Sequence, residues 1–171
     1  MSVNTWYRCI APERLERLII EARDDPDAPA NFLHPDGKDD EYVRPEPELW
    51  TERTWLGLHS LLTFGEWAKQ PLLGAAISGG TPIGGDYCYP DSPVRYLTAE
   101  QVREIASALQ SVTEEALCRS YDPAALNASG VPPEGHWHES DFAYLWKTFC
   151  DIRDFFHVAQ IYRYAVLVYL C

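Results

Sequence analysis

Three places in this chain hold side chains whose type and setting would suit chemistry. His59 lies on an apolar stripe with Trp55 and Leu62. An imidazole placed there would serve as a general base or a ligand-binding group. It would equally serve the core, bonded to a carbonyl or a tyrosine hydroxyl. Arg95 and Tyr96 follow a glycine-rich stretch that ends at Asp86. A guanidinium in that position needs an acidic or carbonyl partner, and Asp86 or Asp91 would supply one. Its functional version is an arginine gripping a ligand's carboxylate or phosphate; its structural version is a bridge that pins the loop to the next helix. His136 and His138 alternate in an extended stretch beside Glu139, but no third ligand follows at metal-site spacing, so no metal is expected. Trp137, between them, joins His59, Asp86, Arg95 and Tyr96 as the set of candidate binding residues.

Other chemistry lacks its signature. The run Gly79 to Gly85 has neither the spacing nor the lysine of a phosphate-binding loop, and its glycines are explained by a helix stop and turns. No G-x-S-x-G elbow occurs, and no cysteine sits in a nucleophile context. No catalytic residue and no cofactor is assigned.

The elements that must position these residues follow from periodicity. Val3 to Ile10 is rich in strand formers. Pro12 suits a helix start, and Leu15, Leu18, Ile19 and Ala22 form one face of a helix ending near Asp24 or Asp25. Leu49 to Thr63 predicts a buried helix carrying His59. Pro71 opens a short helix that Gly79-Gly80 stops, and a loop runs from there into Asp86. Val94 to Leu97 is extended. Thr98 with Gln101 spells a capping box, and Leu97 with Val102 the hydrophobic staple, for a helix running through Leu117. A helical turn over Ala124 to Asn127 comes next. A last helix begins near Glu139 to Asp141, with Phe142, Leu145, Phe149, Ile152, Phe156 and Ala159 on one face. Tyr164 to Leu170 is a β-branched and aromatic strand expected to pair with the first. Few strands separated by helices imply an α+β fold, a small, mostly antiparallel sheet covered by several helices, in a single domain over 1–171.

Charge is unevenly distributed. The chain has 171 residues and a net charge of −12. Between Asp24 and Glu52 stand ten acidic and two basic residues, two thirds of that net charge. Five prolines in the same stretch argue for an acidic surface loop at about 24–48, with a turn of helix around Asn31 to Leu33. Such a field repels phosphate backbones and anionic membranes and steers basic proteins inward. Nucleic acid and membrane are therefore excluded as partners, and a basic protein is the favoured one. No leader sequence or membrane span is expected. The five cysteines form no C-x-x-C pair, so free thiols in a cytoplasmic protein are expected.

Four ordered blocks carry a wider likeness. They are Tyr7-Arg8 with Leu15 through Leu18; Trp55-Leu56-Gly57-Leu58-His59 with Leu61-Leu62-Thr63; Gly79 to Gly84 with Val94 to Thr98 and Val102; and Tyr121-Asp122-Pro123 with Trp137, the aromatic helix and Ala165-Val166-Leu167. In this order they resemble the YfbM-like family of bacterial proteins, a domain of unknown function. The resemblance implies a small α+β fold and no particular activity. Two functions follow from the residues: a non-enzymatic interaction or regulatory domain of the immunity-protein kind, or a small-molecule binder or enzyme with its site near His59, Asp86, Arg95, Tyr96 and Trp137.

Overall fold

A computed structural model describes residues 4–33, 46–52, 54–63, 69–132 and 136–171. Its frame is a five-stranded antiparallel sheet in the order β2-β1-β5-β4-β3. The strands are β1 (Thr5–Ile10), β2 (Glu48–Thr51), β3 (Thr81–Tyr87), β4 (Tyr89–Leu97) and β5 (Ala165–Leu170). The first and last strands pair along their whole length, Thr5 opposite Leu170 and Ile10 opposite Ala165, as the sequence implies. β5 is central and covered on both faces, which explains its unbroken apolar spelling.

Alternation along the strands divides the core into two layers. Tyr7, Cys9, Leu97, Val166 and Val168 face the larger layer, with helices α3 (Trp55–Thr63), α4 (Pro71–Ser78), α5 (Ala99–Gln110), α6 (Glu114–Ser120), α7 (Pro123–Ala128) and α8 (Phe142–Ile161). Ile10, Val94, Leu167 and Tyr169 face the smaller one, against α1 (Pro12–Asp24) and α2 (Ala28–Leu33). In α8, Leu145, Phe149, Ile152, Phe156 and Ala159 are all fully buried. Burying each phenylalanine there contributes about 1.5–3 kcal/mol. Among the described residues no helix is long and apolar enough to cross a membrane.

Local signals hold where the chain itself supplies the partner. Thr98 Oγ1 accepts from the Gln101 amide, and Gln101 returns a bond to the Thr98 amide at 2.9 Å. Pro12 and Pro71 stand at helix starts, and Gly79 takes a φ of 76° just after α4. Asn31 to Leu33 falls within α2.

Four expectations are corrected. The helix foreseen over Leu49 to Thr63 begins at Trp55, because Glu48–Thr51 is claimed by β1: Trp50 pairs with Trp6 and Thr51 with Thr5. The loop from Gly79 to Asp86 is largely β3, an irregular edge strand that accommodates Pro82, whose missing N–H costs little at an edge. The helix foreseen through Leu117 divides at Ser111 to Thr113, where the Thr113 hydroxyl caps a new helix by accepting from the Ala116 amide at 3.2 Å. Finally, not all thiols are free: Cys88 and Cys171 form a disulfide, while Cys9, Cys118 and Cys150 remain reduced, with Cys118 exposed. The β4–β5 pairing brings the β3–β4 turn to the end of β5, a proximity that the 83-residue separation conceals. Cysteine usage therefore gives no argument for a reducing compartment. Of the acidic segment, 34–45 lies outside the described residues.

Candidate functional site

The five residues singled out by sequence are distributed over the fold. His59 lies on α3, half-buried, facing the backbone of Gly74 on α4. Burial holds its imidazole below the usual histidine range, so the neutral form is favoured. Arg95 lies on β4 at the other end of α4. Its Nη1 donates to the Gly80 carbonyl at 3.0 Å, and its stem lies so close to Gly79 that a Cβ there would stand 2.8 Å from the Arg95 Cβ. Of the acidic or carbonyl partners that the sequence calls for, the structure supplies a carbonyl, in the turn after α4, and neither Asp86 nor Asp91 takes that place. Tyr96, the next residue, points to the opposite face of the sheet, toward the smaller core. Asp86 is exposed, opposite Pro93 at the irregular end of β3.

Trp137 is only 3% exposed. Its ring fills the space beside Gly57 of α3, its Nε1 donates to the Val131 carbonyl at 2.9 Å, and Asn127 clamps its backbone with two hydrogen bonds of 2.9 Å. Nothing in the spacing of Asn127 and Trp137 announces that clamp. His136 and His138 flank the buried indole, both exposed. His138 donates its amide to Asp141 Oδ2 at 2.8 Å, opening the short turn before α8. Among the described residues no group of three metal-ligating side chains occurs.

The structure gathers other polar groups. Arg8 on β1 stands 3.3 Å from Glu48 and 3.9 Å from Glu46, while Glu46 accepts from the Ala11 amide. Arg8 and Arg14 both lie over the Phe32 ring, 5.1 and 5.0 Å from its centre. Glu46 and Glu48 are therefore tied to β1 through Arg8, and Glu46 to the head of α1 through the Ala11 amide. Burial raises the Glu46 carboxyl, with the amide of Ala11 and the charge of Arg8 opposing that shift. Cys9 beneath it is pushed up to about 12 by burial and by Glu46, which removes it as a nucleophile.

Two concavities carry polar groups. A groove of about 480 Å³ between α1 and α2 is lined by Arg14, Glu21, Asp24, Asp25, Asn31 and Phe32. A cleft of about 350 Å³ lies between α3 and the α6–α7 corner, lined by Ser60, Leu61, Ser120, Asp122, Leu126 and Ser129 among others. Neither is lined by His59, Asp86, Arg95, Tyr96 or Trp137. Sequence patterning passed over Ser60, Asp122 and Ser129 because each belongs to a different local motif.

The fold, an open five-stranded antiparallel sheet with helices on both faces, defines an α+β protein. The chain belongs to the family described as a domain of unknown function (DUF1877), which matches residues 1–169. A solved structure with the same fold is that of YfbM from Escherichia coli, a protein of unknown function. It is 15% identical, with 98% of this chain and 99% of that one covered at a TM-score of 0.72. No curated protein matches the chain.

Proposed function

We propose that this domain is a non-enzymatic interaction module, regulatory or immunity-like, that receives a basic protein partner on the acidic end of α1 and the start of α2. The observation that carries this reading is the α1–α2 groove, where Glu21, Asp24 and Asp25 converge around an aromatic floor at Phe32. Such a groove favours a lysine or arginine whose charge meets the carboxylates, beside the Phe32 ring on which the chain's own Arg8 and Arg14 already lie. Each exposed carboxylate adds only about 1 kcal/mol at contact distance in water, so three acting together confer steering and specificity more than affinity. The net charge of −12 acts in the same direction.

The test is capture on the immobilised domain from the native cell at low and high salt, beside the variant E21K/D24K/D25K. A basic protein retained at low salt, released at high salt and absent from the variant is the expected result. No retained protein at either salt sinks the proposal. The small-molecule reading centred on His59, Asp86, Arg95, Tyr96 and Trp137 has less support, because α4 stands between His59 and Arg95, and Tyr96 points to the opposite face of the sheet.

A further inference from the structure

We infer that the cleft between α3 and the α6–α7 corner is a binding site for a small primary ammonium compound with a short apolar body. This site is separate from the acidic groove and does not depend on it. The cleft volume of about 350 Å³ is within the range of small-ligand sites. Its floor is apolar: Leu61 of α3 and Leu126 of α7 are each 5% exposed, and Ala125 forms one wall.

The polar rim is rich in acceptors. A serine has one hydroxyl proton and two lone pairs. The Ser129 hydroxyl spends its proton on the Leu126 carbonyl at 3.0 Å, which leaves it an acceptor toward the cleft. Asp122 uses Oδ1 to cap α7, accepting from the Ala125 amide at 3.0 Å. Its second oxygen and its negative charge remain for a ligand. Ser60 adds a hydroxyl from the facing helix. Among the described residues no lysine or arginine lines the cleft, and the nearby Arg119 is held by Glu115 at 2.9 Å. A ligand must therefore bring donors and positive charge. A primary ammonium brings three N–H groups and a full charge, an alcohol brings one donor, and a carboxylate brings none and meets Asp122 as a like charge.

The test is titration of the full chain with n-hexylammonium chloride, n-hexanol and sodium hexanoate. Calorimetry would follow affinity, and methyl NMR shifts of Leu61 and Leu126 would locate binding. Hexylammonium should bind with both leucines perturbed, hexanol about tenfold more weakly, and hexanoate not measurably. Asp122→Asn is the decisive variant, because asparagine caps a helix as well as aspartate does, so the fold is kept while the charge is removed. It should weaken hexylammonium about tenfold and leave the melting temperature unchanged. A second variant, Ser129→Trp, places a ring at the exposed mouth of the cleft and should abolish binding. Equal affinity for hexylammonium and hexanol, an undiminished affinity in either variant, unshifted leucines, or no binding at all would overturn the assignment.

Discussion

The indole of Trp137 occupies the space that a side chain on Gly57 would need: a Cβ built at Gly57 would stand 2.7 Å from the ring's Cζ2. Glycine is thus required in the middle of α3 by close approach, despite its poor helix propensity. Gly57→Ala should destabilise the fold by about 1–3 kcal/mol through overpacking, and Trp137→Ala by about 3–5 kcal/mol through the cavity it leaves. Denaturant unfolding of each variant and of the double variant checks this. The double should lose less than the two single losses combined, since the added methyl enters space that the indole has vacated.

The disulfide between Cys88 and Cys171 spans 83 residues of sequence. Alkylation of the unfolded, unreduced chain should label three cysteines, and after reduction all five. Cys171→Ser should lower stability by about 2–4 kcal/mol under oxidising conditions and have little effect in reductant. Equal midpoints with and without reductant would show that the crosslink carries no stability.

The capping box at the head of α5 satisfies two otherwise orphaned amides. Thr98→Ala should cost about 1 kcal/mol, whereas Thr98→Ser should be nearly neutral. Thermal unfolding of the two variants separates loss of the cap from loss of the methyl group.

His59 makes stability depend on pH. Burial lowers its folded pKa, while in the unfolded chain it returns to about 6.5. Between those values the unfolded state binds the extra proton. Stability should therefore fall as pH drops below about 6.5 and level off, for this group, below its folded pKa. His59→Gln should flatten that part of the profile without altering the slope above it. Unfolding free energy measured across the acid range reads the difference.

How much was legible depended on the range of the interaction. The Thr98–Gln101 box, the Pro12 and Pro71 helix starts and the aromatic face of α8 rest on neighbours within a few residues, and the spelling shows them. Leu49 to Thr51 reads equally well as a helix, and only the backbone groups of β1 on one side make it a strand. The candidate site fared in the same way. Arg95 was recognised as needing a partner, but that partner is the Gly80 carbonyl rather than a carboxylate. Trp137, a candidate binding residue by sequence, is buried beside Gly57 and Asn127, and nothing local reveals those neighbours.

By itself, then, the order of residues determined an acidic α+β chain, the heads of α1, α4 and α5, and the pairing of its first and last strands. Periodicity, capping and composition are local and additive, and they need no knowledge of the fold. Tertiary structure alone decided that Arg95 meets the Gly80 carbonyl, that Cys88 meets Cys171, and that Ser60, Asp122 and Ser129 share one cleft. Each of these depends on how distant elements pack, and a linear pattern carries no record of that geometry.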